Sequence, residues 1–346
     1  MKATIFAAGV WVLLNSAQAA PRNSAVAVRN RATDDDLARM CRDTSIRHVR
    51  LTNGRFTDDG MRHLAGLEGL ETIHISHGRI TDTGLRHLAA CTQLTRIELQ
   101  HTPVKANDLR GFEELTKLQL FSLSYSRAQG EGLATLRFAK RLRFLDVSHC
   151  RITKKGMQAI GRLTSLRELR MAHSGIEGDA WKPIANLTNL ESLDLRFSWL
   201  SDRETKSLGR LTKLKKLRLW KSRITDKGMK QLARLKNLET LSLKDTQVSD
   251  AGVALLGRLK KLSGLNLSGT KITDRTLVFV RRLPAIATLY LQSTDVTDEG
   301  LEELIDVKTL RRVSVSGTAV TNRGRVSLRT ANRRVRVYSA ASQFPF

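Results

Sequence analysis

One period governs this chain. The apolar residue that opens a Leu-x-Leu-type pair falls at Val49, Ile73, Ile97, Phe121, Leu145, Leu169, Leu193, Leu217, Leu241, Leu265, Leu289 and Val313, and every interval is 24 residues without insertion or deletion. A fixed period of this size means an array of identical supersecondary units, none of which buries its apolar side alone. The clearest units read LRLWKSRITDKGMKQLARLKNL (217–238) and LSLKDTQVSDAGVALLGRLKKL (241–262). Apolar–polar–apolar alternation at the start of each unit predicts a short strand with one buried face. The Ile/Val-Thr/Ser-Asp that follows supplies a hydroxyl or carboxylate helix cap, and G-L-x-x-L-x-x-L carries an apolar stripe at helical spacing. Gly60, Gly84, Gly132, Gly156, Gly228, Gly252, Gly300 and Gly324 recur where the helix starts, which points to close backbone packing between units.

The pattern resembles the leucine-rich repeat, L-x-x-L-x-L-x-x-N/C-x-L, with Thr, Ser or Cys in the usual Asn/Cys position. That position holds Thr102, Ser126, Cys150, Ser174, Ser198, Ser222, Thr246, Thr270, Thr294 and Thr318, whereas Gly54 and Gly78 depart from it. The I-T-D-x-G-L half is similar to the cysteine-containing subclass, found in F-box substrate receptors and in bacterial effector and envelope repeat proteins. The resemblance covers about residues 33 to 338. It implies an α/β solenoid (horseshoe) with a concave parallel sheet and short convex helices, and it is unspecific for function.

The period also organises the ends. Thr33-Asp34 lies 24 residues before Thr57-Asp58, so TDDDLARMCRD (33–43) is expected to be a helical half-unit capping the first strand. Val337 lies 24 after Val313 and is expected to sit in a closing strand. Residues 1–19 have the form of an export signal: Lys2, an apolar run from Ala3 to Leu14, and Ala17-Gln18-Ala19 as a cleavage motif. The run is too short to span a bilayer. The expected organisation is a signal at 1–19, a linker at 20–32, the repeat domain at 33–338 and a tail at 339–346. A soluble protein, secreted or held in the periplasm or envelope after cleavage near Ala19, follows from that reading.

Lys and Arg number 59 against 33 acidic residues, a net charge of +26. Such an excess attracts anionic partners and says nothing about fold. From Arg203 to Lys236 there are 13 basic residues against Glu204 and Asp226, and Arg162, Arg210, Arg234, Arg258 and Arg282 share one helix-side column. Another column, Arg55, Arg79, Arg127, Arg151, Arg223 and Lys271, is expected to line one rim. Anionic polysaccharide or lipid headgroups fit an exported location, and nucleic acid would be bound only non-specifically. Cys41, Cys91 and Cys150 are too few and too scattered for a disulfide framework and read as free thiols. No Cys-x-x-Cys pair, Gly-rich phosphate loop, H-E-x-x-H motif or paired carboxylates appears, so neither a catalytic residue, a cofactor nor a metal site is expected.

Two solvent-facing columns are expected on the sheet. The residue inside each apolar pair runs Arg50, His74, Glu98, Ser122, Asp146, Arg170, Asp194, Arg218 and onward. Its alternating middle reads either as a self-neutralising ladder of cross-strand ion pairs or as the polar centre of a binding patch. Three residues further along lies Asn53, His77, His101, Tyr125, His149, His173, Phe197, Lys221. Clustered histidines there read as solvated polar positions or as a pH-sensitive surface; two imidazoles without a third ligand make a poor metal site. Exposed Trp and Tyr beside Arg have the composition of a binding hot spot. Tyr125, His149, Arg170, His173, Asp194, Arg196, Phe197, Trp199, Arg218, Trp220 and Lys221 are the expected ligand-binding residues, whereas Trp181 falls in a core helix column. The expected function is an exported, non-enzymatic scaffold that binds a protein or an anionic envelope polymer through its concave face and basic rim. The alternative is a substrate-recognition subunit or secreted effector like F-box relatives, acting with a separate partner.

Overall fold

The computed structural model describes residues 31–339 and, before them, the backbone of the strands Phe6–Ala7, Val10–Val12 and Ala25–Arg29. The cleavage motif at Ala17-Gln18-Ala19 and the tail beyond 339 lie outside the described residues. Two compact units divide the chain after Gly175. In the first, Ala25–Arg29, His48–Thr52, Thr72–Ser76, Arg96–Gln100, Leu120–Ser122, Phe144–Asp146 and Glu168–Arg170 run parallel in sequence order. In the second, Ser192–Asp194, Lys216–Arg218, Thr240–Ser242, Gly264–Asn266, Thr288–Tyr290, Arg312–Ser314 and Arg336–Tyr338 do the same. Leu217 pairs with Leu241, Leu241 with Leu265 and Leu265 with Leu289, so the pairing register equals the sequence period. The segment at 20–32 is not simply a linker, because Ala25–Arg29 pairs along its length with His48–Thr52.

Each strand from Ala25–Arg29 to Arg312–Ser314 is followed by a short helix, and the opening apolar residues from Val49 to Val313 are all buried. Helices of five to seven residues, such as Asp226–Leu232 and Asp250–Ala254, are too short to persist alone in water. What holds them is a link from unit to unit that the cap reading did not include. The Asp that opens one helix accepts hydrogen bonds from the cap residue of the next. Asp226 Oδ1 takes the backbone N–H of Ser249 at 2.8 Å and Asp226 Oδ2 the Ser249 hydroxyl at 2.5 Å. Asp250 does the same for Thr273, Asp274 for Thr297 and Asp298 for Thr321. The recurrent glycine makes room for that carboxylate: a Cβ on Gly252 would collide with Asp226 Oδ1, and one on Gly300 with Asp274 Oδ1. Thr-Asp-x-Gly is therefore a staple between units as well as a cap.

Where the capping hydroxyl is missing, at Lys105, Gln129 and Glu177, the helix changes type. Phe112–Glu114, Glu131–Phe138 and Gly178–Asn186 are 3₁₀ helices without a side-chain cap, two of them entered through left-handed glycines, Gly111 and Gly130. Gly54 and Gly78, the departures from the hydroxyl column, flank the buried ring of Phe56, which a Cβ at either position would strike. Cys91 and Cys150 are buried and donate to the carbonyls of Leu64 and Leu123. Burial pushes both thiols up to about 12, and Cys41 up to about 11, so none is a ready nucleophile. Trp181 is buried in its helix column with its indole N–H on the Ile176 carbonyl at 3.1 Å.

Candidate functional site: two ring clusters on the sheet face

The residue after each strand turns through the left-handed region. In the first unit Asn53, His77, His101, Tyr125, His149 and His173 all have φ between 51° and 59°. In the second, Phe197, Lys221, Asp245 and Ser293 have φ near 55°, and Gly269 and Gly317 occupy the same position. The turn hands the backbone N–H to the next repeat: His149 to the Ala172 carbonyl at 2.7 Å, Phe197 to the Trp220 carbonyl at 2.7 Å. Glycine and asparagine adopt this conformation readily; bulky residues do so at a cost of about 1–3 kcal/mol each.

In the first unit these bulky residues form a continuous stack. Ring centroids are 4.5 Å apart for His77–His101, 4.7 Å for His101–Tyr125, 4.0 Å for Tyr125–His149 and 4.4 Å for His149–His173, with interplanar angles of 10–22°. Tyr125 is 49% exposed. Two residues further along each turn stand Arg55, Arg79, Arg127 and Arg151, all exposed and, among the described residues, in no ion pair. Arg170 stands apart from this stack: it pairs with Glu168 at 2.6 Å and lies over the Phe144 ring at 4.8 Å.

In the second unit the cluster is aromatic and cationic. Phe197 packs on Trp220 at 5.0 Å, tilted by 44°, with Lys221 Nζ 5.3 Å from the Phe197 centroid. The Trp220 indole N–H donates to Asp245 Oδ2 at 2.7 Å, and Lys244 Nζ lies 4.2 Å from its ring. Trp199 is 48% exposed and carries the Arg223 guanidinium at 4.2 Å. The backbone arranges that meeting, since Arg223 N–H binds the Leu200 carbonyl at 2.8 Å and Ser201 bridges to Arg223. Exposed cation–π contacts of this kind contribute about 0.5–1 kcal/mol.

The cross-strand charge ladder does not form. Asp194 is buried and is gripped by Arg196, whose Nε lies 2.9 and 3.0 Å from its two oxygens. Arg170 takes Glu168 of its own strand, and Glu98 is shared by His74 and Arg96. Pairing runs mostly two residues along a strand, because a same-face neighbour there is about 6.6 Å away and an arginine fork spans that gap with good geometry. Arg218 is half-buried and, among the described residues, in no ion pair. Of the expected residues, the structure thus brings together Tyr125, His149 and His173; Asp194 and Arg196; and Phe197, Trp220 and Lys221. It adds His77 and His101 to the first group, and Arg223, Lys244 and Asp245 around the second unit's rings. Arg223 lies 24 residues after Trp199 in the same rim column, so the period sets the two side by side; the stacking of the guanidinium on the ring is what the structure adds.

No group of three or more His, Cys, Asp or Glu suited to a metal ion occurs among the described residues. A hollow of about 290 Å³ lies between Glu299, Glu302 and Ser327 on the helix side, away from both ring clusters.

A leucine-rich repeat region model matches residues 119–324, well over half of the chain. The chain belongs to the leucine-rich repeat family. In sequence, no curated protein matches it. Among solved structures, it is similar to an internalin from Listeria monocytogenes, with a TM-score of 0.73 and 22% identity over 92% of this chain and 87% of that one. A leucine-rich repeat protein from Leptospira interrogans follows, with a TM-score of 0.59 and 16% identity over 87% of this chain and 80% of that one. A TDR receptor aligns with a TM-score of 0.55 at 16% identity, over 87% of this chain and 60% of that one. At these identities the likeness establishes the fold: a leucine-rich repeat solenoid with parallel strands on one side and short helices on the other.

Proposed function

We propose that this leucine-rich repeat protein is an exported, non-enzymatic scaffold that binds a protein partner through the solvent face of its sheet, with the second unit's aromatic cluster as the anchor. The observation that carries the reading is Trp199, half exposed with the Arg223 guanidinium over its ring. Trp and Arg are the residues most enriched at binding hot spots, and a Trp held by a backbone-fixed cation needs little ordering on association. Asp194–Arg196 and Trp220–Asp245 hold further side chains of the second unit in place. Export rests on the charged, apolar and small-residue succession of residues 1–19. A substrate-receptor role of the F-box type would use the same face and require a separate adaptor surface.

The test is capture from an envelope extract at low and high salt, with wild-type protein and Trp199→Ala/Trp220→Ala. A protein retained at high salt and lost in the double variant supports the reading. Capture of only anionic polysaccharide or lipid, released by salt and indifferent to the variant, refutes it and makes the net charge the binding determinant.

A further inference from the structure

The first unit carries a second surface, independent of the aromatic cluster and not needed for the binding just proposed. Five rings stack edge-out along one line, from His77 through His101, Tyr125 and His149 to His173, at centroid spacings of 4.0–4.7 Å. All five residues hold left-handed backbone where glycine or asparagine would be less strained. Their faces are consumed by one another, so what solvent meets is a row of ring edges, which for imidazole are nitrogen donors and acceptors. Arg55, Arg79, Arg127 and Arg151 stand two residues along the turns that carry Asn53, His77, Tyr125 and His149, exposed and unpaired among the described residues.

We infer that this row of ring edges and arginines is a docking surface for an acidic peptide segment, rich in Asp and Glu, on a partner protein. Charge complementarity supplies the occupant: four guanidiniums present forks that match carboxylates bidentately. The carboxylates in the neighbourhood are already engaged. On the strands leading into these turns, Glu98 binds His74 and Arg96, Glu168 binds Arg170, and Asp146 accepts the Ser148 backbone N–H at 2.9 Å. The remaining charged or titratable groups there are His48, bound to Thr72, and Arg50. An incoming carboxylate therefore meets four guanidiniums that make no ion pair among the described residues. Imidazole gains its proton between pH 8 and 5, whereas Asp and Glu keep their charge down to about pH 4.5. Attraction to a carboxylate ligand grows over that interval. A phosphate monoester, with a second ionisation near pH 6, loses charge over the same interval, so the pH response favours carboxylate over phosphate.

The probe is a fluorescent peptide of six Glu-Gly repeats, titrated with the full-length protein at pH 7.5 and 5.5 in 0.15 M salt. Affinity is expected to rise about fivefold at the lower pH, as several exposed ion pairs would give. His149→Asn/His173→Asn removes two of the four imidazoles and is expected to reduce that rise clearly without lowering the unfolding midpoint, since asparagine tolerates the left-handed turn. Arg127→Gln/Arg151→Gln is expected to weaken binding at both pH values. Arg210→Gln/Arg234→Gln, on the helix side, removes as much charge and is expected to change nothing. Equal loss in the helix-side variant, an affinity indifferent to pH, or a pH rise kept in full by the His149/His173 variant would each overturn the inference. So would binding of polygalacturonate with the same pH response and no binding of the peptide.

Discussion

A hydroxyl in the column after each strand has three fates in this molecule. Thr102 and Ser126 hydrogen-bond each other at 2.9 Å. Other threonines turn back on their own repeat: Thr246, Thr270 and Thr294 donate to the carbonyls of Leu243, Leu267 and Leu291. The serines at 174, 198 and 222 are buried, and their hydroxyls have no hydrogen-bond partner. An unsatisfied buried hydroxyl costs its desolvation, whereas a satisfied one contributes about 1 kcal/mol net. Ser222→Ala is therefore expected to leave the urea midpoint unchanged or slightly raised, and Thr270→Val to lower stability by about 1 kcal/mol. Equal losses in the two variants would show that Ser222 is satisfied after all. The column was legible from spacing alone. Which hydroxyls are satisfied was not, because that depends on the carbonyl three residues back and on the extra methyl that orients a threonine.

At the scale of the element, stability resides in the staples between units. Gly252→Ala places a Cβ against Asp226 Oδ1 and within 2.9 Å of Val248, so a loss of about 1–3 kcal/mol is expected from denaturant unfolding. Gly257→Ala, with open space around its Cβ, is expected to be neutral or to stabilise by about 0.4–1 kcal/mol. The staples also define an acid limit. For Asp250, burial raises the pKa, but the Thr273 backbone N–H and the Thr276 and Thr273 hydroxyls outweigh it and leave the carboxyl below its usual range. For Asp298, the Thr321 hydroxyl and backbone N–H lower it. A carboxyl depressed in the folded state stabilises fully above its unfolded value, about 3.9, and loses that contribution as pH falls through the folded value. The urea midpoint is thus expected to stay level through these groups from pH 7 to 5 and to fall below about pH 4. Asp298→Asn should flatten that fall; an unchanged acid slope in this variant would remove the staple from the explanation. Strand positions and capped helices were readable because period and cap signature agree. The 3₁₀ segments at Phe112–Glu114, Glu131–Phe138 and Gly178–Asn186 were not distinguished, since their apolar spacing persists while the cap is missing.

For the whole molecule, the net charge of +26 and the ring clusters make separable contributions to association. Charge raises encounter rates and decays with salt, while a packed, partly desolvated Trp sets residence. Columns of side chains were legible because a fixed period aligns them. Their contacts were not: Arg196 closes on Asp194 along its own segment instead of across strands, and the His–Tyr stack depends on left-handed backbone that no column of residue types announces. No helix among the described residues is long and apolar enough to cross a membrane. The central claim is that the Trp199/Trp220 cluster binds a partner without being needed for the fold. The most direct measurement titrates the protein partner captured at high salt against wild type and Trp199→Ala/Trp220→Ala, with urea unfolding of both proteins alongside. A dissociation constant raised about a hundredfold, as loss of a hot spot gives, with unfolding midpoints that coincide, is the expected result. Unchanged affinity, or a loss of affinity that follows a loss of stability, would contradict the account.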